Sequence, residues 1–357
     1  MYRKLCAAAA MLFSVVMLLS ITGCSMKLSV DDSDSDSIGE QTAVSSKPES
    51  GSTRDAYVEI IQYMDHTGLN KCCDGIKACL DKSGIRYDVT VGNGIAENAV
   101  NECEKKAQEI ATNGSCDLVI AIGTPCAEVV CPTVTSSGRI PSVFCAVTDP
   151  VGAGIVSDMI SPGINCTGVT AALSAEEQLD LVYNMQPFIT DVGVIYTDSE
   201  QNAVSQLSAL KEAAKKKNIA VAEESVEDPS ELAEKASDLM KRVQAVIILP
   251  DNMIAKNSWY ITERSIVEGV PVYGVTQTQV SEGCLAGYCY DFTAAGEQAG
   301  EQAVQILHGE SAAQIPIINK QGYNLYINTD RLNDFGMMVP DGYKSKATEV
   351  STSYEQQ

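Results

Sequence analysis

Histidine is nearly missing from this chain: His66 and His308 are the two present in 357 residues. No two cysteines are spaced C-x-x-C. With so few ligands a structural zinc site has nothing to build on, and no metal is expected. There is no G-x-S-x-G nucleophile elbow and no lysine-bearing phosphate loop. The stretch "VGNGIAE" offers two glycines of a dinucleotide fingerprint, but Glu97 stands where the third belongs, so a loop is expected there and no cofactor. Basic residues are scarce as well: 25 against 47 acidic ones, a formal charge of −22. Such a field repels nucleic acid and anionic lipid surfaces, which excludes both as partners of the folded body.

Cysteine, in contrast, is plentiful at thirteen, yet its arrangement argues against a disulfide framework. Cys6 lies in the leader and Cys24 at its end, and the remainder is odd in number. Cys79, Cys116, Cys145 and Cys289 sit in apolar strand or helix patterns, where cysteine behaves as a small buried hydrophobe. The N-terminus "MYRKLCAAAAMLFSVVMLLSITGC" has two cations, an apolar core and a small-residue ending. It reads as a secretory signal peptide over residues 1–23. Ile21-Thr22-Gly23-Cys24 resembles a bacterial lipobox, in which Cys24 becomes the lipidated first residue. The alternative is an uncleaved anchor, since the apolar stretch is near the lower limit for a span. In both cases the body is exported and tethered to the outer face of the cell membrane, with no other membrane contact. Residues 24–55 are Ser- and acid-rich and form a flexible tether. Within them "DDSDSDSIGE" imitates a calcium loop but has Ser37 in place of the turn glycine and no glutamate at the twelfth position.

From Tyr57 onward apolar runs alternate with helical periods. The runs are "YVEIIQY", "DLVIAIG", "PSVFCAV", "VGVIYT", "AVIILPD" and "PVYGVT", typical of parallel strands buried on both faces. Helices are expected over 69–83, 96–113, 175–184, 202–218, 230–243 and 255–268. This predicts an α/β fold of two Rossmann-like lobes, parallel sheets flanked by helices, with a hinge and a cleft between them. The pattern resets near "SPGINCTGVT", which places the first crossing there. The expected lobes are 56–165 plus 284–312 and 166–283 plus 313–345, followed by a flexible tail over 346–357.

Sheets facing one another bring their strand C-termini to a common cleft. The turns at those ends are polar: Gln62 to His66, Gly123-Thr124-Pro125, Thr148-Asp149-Pro150, Thr197-Asp198-Ser199, Pro250-Asp251-Asn252 and Thr276-Gln277-Thr278. Any one of them could be a helix cap alone, and Pro125 suits a first helical turn. Six together point to a pocket. The candidate ligand-binding residues are Gln62, Asp65, Gly123, Thr124, Pro125, Thr148, Asp149, Ser199, Asn202, Asp251, Asn252 and Gln277. A ligand carboxylate would suit the helix N-terminus at Gly123-Thr124 or the Ser199 turn. An ammonium would then want Asp251 or Asp149, and Tyr63, Tyr196 or Tyr273 could add an aromatic face, Tyr196 and Tyr273 being equally suited to the strand core. His66 beside Asp65 is a candidate general base, or simply a polar loop residue. His308 at a helix end serves the last carbonyls.

The stretches "AIGTPCAE", "VFCAVTDPVGAGIV", "GINCTGVT", "EEQLDLV", "VGVIYTDSEQNAVSQLSALKEAAKK" and "VPVYGVTQTQVSEGCLAGYCYDFTAAGEQAGEQAVQILHGE" are similar to the substrate-binding proteins of ABC importers, the family often labelled tryptophan/tyrosine-type. "AVTDPVGAG" and "GTPCAE" are the specific parts, and the resemblance spans roughly Tyr57 to Tyr343. It implies a type I periplasmic-binding-protein fold with three crossings closing on one small ligand, possessed by a monomer that works with a permease and an ATPase encoded by other chains. High cysteine content and the loop "QYMDHTGL" depart from the family pattern, and the latter bears on ligand choice. Two other readings stay open: a sensory receptor of the same fold, and an exported enzyme using His66 and Asp65.

Overall fold

The computed structural model describes residues 55–353, apart from 94, 95, 137 and 320–322. The expected signal peptide, the tether and Cys24 lie outside the described residues. The first lobe opens with β1 (Tyr57–Gln62), α1 (Thr67–Lys82), β2 (Arg86–Val91), α2 (Ala96–Asn113), β3 (Leu118–Ile122), α3 (Thr124–Thr135), β4 (Ser142–Val147) and β5 (Cys166–Thr170). Its five strands run in the order β2-β1-β3-β4-β5 and every pairing is parallel. All residues of β3, β4 and β5 are buried, as expected of parallel strands covered by helices on both faces.

The second lobe follows with α4 (Ala175–Met185), β6 (Asp191–Tyr196), α5 (Gln201–Lys217), β7 (Ala220–Ser225), α6 (Leu232–Met240), β8 (Ala245–Ile247), α7 (Asn252–Asn257), α8 (Trp259–Glu268), β9 (Val272–Tyr273), α9 (Gln277–Ser281) and β10 (Ala286–Tyr290). The chain then returns to the first lobe as α10 (Phe292–Leu307) and ends in the second as β11 (Tyr323–Asn328), α11 (Thr329–Asp334), α12 (Asp341–Lys344) and β12 (Ala347–Val350). The second sheet reads β12-β11-β10-β9-β8-β6-β7, parallel except where β10 meets β11. Ile318 bridges to Val169 before the last crossing, so its segment still belongs to the first sheet.

Three expected boundaries are corrected. The first crossing lies after Thr170 rather than at 165, because β5 pairs with β4 along its length. The second lies at Tyr290–Phe292 rather than at 283, because β10 completes the second sheet while α10 packs on α1. That helix pair meets backbone to backbone: a Cβ on Gly75 would stand 2.5 Å from the Thr293 carbonyl oxygen, and one on Gly296 2.1 Å from that of Cys72. The tail is structured over most of its length. β12 pairs with β11, and Ser353 N–H donates to the Ser281 carbonyl at 2.8 Å. The eleven cysteines from Cys72 to Cys289 are free thiols, all but Cys79 buried. Among the described residues no helix is long and apolar enough to cross a membrane.

Candidate ligand-binding cleft

Strand ends of both sheets converge on a cavity between the lobes. Its inner chamber is narrow, about 40 Å³, and mainly apolar; the adjoining vestibule holds about 460 Å³, within the roughly 300–1,000 Å³ of ordinary small-molecule pockets. Leu69, Ala146 and Phe292 line it from the first lobe, Leu173 from the hinge, and Val275 and Tyr290 from the second lobe. The Tyr290 and Phe292 rings meet edge to face with centroids 5.2 Å apart. Ala146 holds φ +58, with a register shift between Cys145 and Val147 in the pairing of β4 with β5. A non-glycine residue in that conformation is costly and tends to occur where a site requires it. A wider, more polar vestibule leads outward past Asp65, Lys71, Lys256, Gln277 and Asp291, and shares His66, Tyr290 and Phe292 with the inner chamber.

The strand-to-helix turn at Gly123 is a donor site. Gly123 adopts φ +94, and its own N–H is spent on the Cys145 carbonyl at 2.9 Å. Pro125 has no N–H to offer, and Gly123 has no side chain to cap α3. The Thr124 and Cys126 N–H groups therefore meet no acceptor among the described residues. Unpaired donors at the positive end of a helix favour an anionic group. Thr124 does not cap its helix; its Oγ1 instead accepts the Thr148 N–H at 3.2 Å, which joins the two turns.

Across the chamber the second lobe presents acceptors. Asn202 is buried, and its Nδ2 donates to Glu200 Oε2 at 2.9 Å and to the Pro250 carbonyl at 2.8 Å. Those two acceptors fix the amide orientation. Asn202 Oδ1 is left buried with no donor among the described residues, a deficit of about 1–3 kcal/mol unless something fills it. Glu200, also buried, accepts the Asn252 and Met253 N–H groups at 2.9 and 3.1 Å and Asn252 Nδ2 at 2.7 Å. Asp251 caps α7: Oδ1 accepts Ile254 N–H at 2.9 Å and the Thr197 hydroxyl at 3.2 Å, while Oδ2 accepts Thr197 N–H at 2.7 Å. Burial pushes both carboxyls upward, and Glu200 adds repulsion on Asp251; the hydrogen bonds oppose this. No ion pair to either is found among the described residues.

Hydrogen bonds cross the cleft. His66 Nδ1 accepts Gly68 N–H at 3.2 Å and so caps α1, which leaves the proton on Nε2. That N–H points to Asn252 Oδ1 at 3.1 Å. Burial holds the imidazole down at about 4, only partly opposed by this bond. Farther along, Ser205 on α5 donates to Asp149 Oδ2 at 3.1 Å. Glu128 on α3 is pushed up to about 6 by burial and by Glu200 opposite.

Of the residues expected from sequence, Thr124, Thr148, Asn202, Asp251 and Asn252 gather at the inner chamber, with Asp65 and Gln277 at the vestibule. Others are placed elsewhere. Gln62 spends its amide on the Met64 carbonyl and Asn70. Ser199 is exposed on the surface. Asp149 holds its own turn through Gly152 N–H as well as Ser205, and it is not a chamber wall. Asp251 has its oxygens committed within its lobe, so it is a cap rather than an open ammonium partner. Gly123 and Pro125 shape the α3 turn. Tyr273 donates to Gln186 in the core, and neither Tyr196 nor Tyr63 lines the chamber. His66 and Asp65 form no dyad: both imidazole nitrogens are engaged elsewhere, and Asp65 accepts from Asn70. His308 does stand at the C-cap of α10. Sequence reasoning missed Glu200, Tyr290 and Phe292. Glu200 is one position from the residue chosen in its turn. Tyr290-Asp291-Phe292 is another strand-to-helix turn, between β10 and α10, that the six polar turns do not include.

Residues 57–351 match the family described as ABC transporter substrate binding protein. The chain belongs to that family. A member from Clostridioides difficile named tyrosine-binding protein is 28% identical, aligned over 89% of this chain and 88% of the relative. The structure of an ABC domain in complex with L-Trp from Streptococcus pneumoniae is 25% identical, with TM-score 0.77, covering 83% of this chain and all of that one. A ligand-free, open substrate binding protein with adhesive properties from Clostridium difficile is 28% identical, with TM-score 0.64, covering 84% and 100%. The architecture is that of type I periplasmic-binding proteins, two lobes around a ligand cleft. The superposition is better with the tryptophan complex than with the open protein despite lower identity, in keeping with the hydrogen bonds that draw these lobes together.

Proposed function

We propose that this substrate-binding protein captures a zwitterionic amino acid with an aromatic or large apolar side chain. The observation that carries the reading is the pairing of unmet groups at one chamber: the α3 N-terminus at Thr124 on one lobe, with its N–H unmet, and the orphan acceptor Asn202 Oδ1 beside buried carboxyls on the other. A carboxylate suits the first and an ammonium the second. The side chain would lie against Leu69, Tyr290 and Phe292. The tyrosine-binding and tryptophan-bound relatives support the same class. A ligand touching both lobes stabilises the closed form by its differential affinity for it, and a separate permease and ATPase would then take the ligand inward. The leader and Cys24 make the protein an exported lipoprotein on the outer face of the membrane. With both His66 nitrogens engaged, a binding role suits this cleft better than catalysis by a His66–Asp65 pair.

Calorimetric titration across the amino acids tests this, with 3-arylpropanoic acids as amine-free controls. Tyrosine or tryptophan should bind at micromolar Kd or tighter, and the controls at least about 30-fold more weakly, since each tenfold is about 1.4 kcal/mol. Asn202→Ala should erase most of that preference for the amine. A panel in which no amino acid binds would sink the reading.

A further inference from the structure

We infer that Glu200 is a positioning residue that couples amine recognition to lobe closure. It rests on the proposed function for its ligand end only; the remainder stands on geometry between the lobes. One carboxylate oxygen, Oε2, accepts from the side chains of both Asn202 and Asn252, at 2.9 and 2.7 Å. The first amide lines the ligand chamber and the second bridges to the opposite lobe. Because Oε2 claims Asn252 Nδ2, Asn252 must turn its Oδ1 toward His66. Because Gly68 N–H claims His66 Nδ1, His66 must answer with Nε2–H. Donor and acceptor are thus fixed from behind on both sides of the 3.1 Å contact. Neither partner can flip to another hydrogen-bonding role without breaking a second bond, and this makes the contact specific to the closed lobes.

The same oxygen fixes the ligand end. With Nδ2 drawn to Glu200 and to the Pro250 carbonyl, Asn202 can offer only Oδ1 to the chamber. An amine donated there completes a continuous path: ligand, Asn202, Glu200, Asn252, His66 and the first turn of α1. Glu200 itself does not line the chamber. It acts through the two asparagines, and its other oxygen pins the start of α7 through Met253 N–H.

The test uses the full chain with His66→Ala, Glu200→Gln and Glu200→Asp. Two measurements are made: affinity for L-tyrosine and for its amine-free analogue, and hydrogen exchange at residues 65–70 and 251–257. His66→Ala should lower tyrosine affinity about tenfold yet keep the amine preference, with faster exchange in both segments. Glu200→Gln should lose affinity and amine preference together, because its amide group places a donor where only donors arrive. Glu200→Asp should restore part of the amine preference. The coupling is overturned if His66→Ala leaves exchange at 251–257 unchanged, or if Glu200→Gln lowers the melting temperature alone while affinity and preference stay at wild-type values. Should wild type bind no amino acid, the amino-acid reading fails by itself. The exchange data then still decide the contact between lobes: slower exchange in wild type than in His66→Ala upholds it, and equal exchange overturns it.

Discussion

At the scale of single residues, charge state decides how this cleft behaves in acid. His66 is held at about 4 in the closed form, against about 6.5 for an exposed histidine. Between those values the open form binds the proton more readily, so acid favours opening. Ligand affinity should therefore fall as pH drops through that window and level off below it. Glu128 acts in the opposite sense. Its pKa rises from 4.5 to about 6 partly because Glu200 of the other lobe stands near, so the closed form takes up a proton as pH falls through that range. The histidine effect spans the wider window and should set the net slope. Binding measured at about pH 7.5, 5.5 and 4.5 should weaken in wild type and weaken less in His66→Gln, which has no proton to gain. Equal slopes in the two proteins would mean that His66 does not report closure. The buried thiols add nothing here: desolvation raises Cys72, Cys126 and Cys284 above the usual thiol range, which leaves them protonated and inert.

Single elements are governed by the turns between strand and helix, and the turn at Gly123 is the most constrained. Its φ of +94 lies where L side chains rarely go, and an added Cβ would stand 3.1 Å from Tyr63 Cβ and 3.3 Å from Leu69 Cδ1. Gly123→Ala should cost about 1–3 kcal/mol through backbone strain and push Leu69 toward the chamber. The denaturation midpoint should fall and tyrosine binding should weaken; an alanine variant with both unchanged would contradict the geometry. Such turns also mark what could be read in advance. Apolar runs announced β1, β3, β4 and β6 because those strands are buried on both faces, and 96–113 emerged as a helix with the bounds expected. The edge strand β7, "AVAEES", is not legible in the sequence: none of its residues is buried, so its composition lacks the apolar signature. At the site, the rule of polar turns brought Thr124, Thr148, Asn202, Asp251 and Asn252 to the chamber. It could not tell a group facing ligand from one facing its own helix. Asp251 and Asn202 look alike in sequence; only the hydrogen-bond partners make the first a cap and the second an open acceptor. Aromatic residues divide for a related reason. Tyr273 is a strand residue with its hydroxyl tied to Gln186, whereas Tyr290 stands at a crossing whose position depends on pairings far apart in sequence.

On the scale of the whole molecule, the end of the chain reaches the cleft through intermediaries. Residues 346–357 are expected as a flexible tail, but β12 covers the outer edge of β11 from Leu325 to Asn328. Beyond it, Thr352 N–H donates to Asp330 Oδ2 at 2.7 Å and Ser353 N–H to the Ser281 carbonyl at 2.8 Å. Asn328, buried at the end of β11, donates to both Thr352 Oγ1 and the Val280 carbonyl. Val280 and Ser281 are the end of α9, whose N-terminal box of Thr276 and Gln279 stands beside the ligand chamber. The tail therefore holds α9 from behind while the ligand would meet it from the front. Truncation after Ser345 should remove those bonds, leave β11 an exposed edge open to strand pairing, and cost about 2–4 kcal/mol at roughly 1 kcal/mol per net hydrogen bond. It should also weaken tyrosine binding, because α9 loses its support at Val280 and Ser281. The discriminating measurement is hydrogen exchange over 276–282 in the truncated and intact proteins. Faster exchange there, with exchange in α1 and α2 unchanged, identifies a tail that stabilises the second lobe at the cleft. Exchange unchanged across α9, with the same melting temperature, would return residues 346–357 to a dispensable extension.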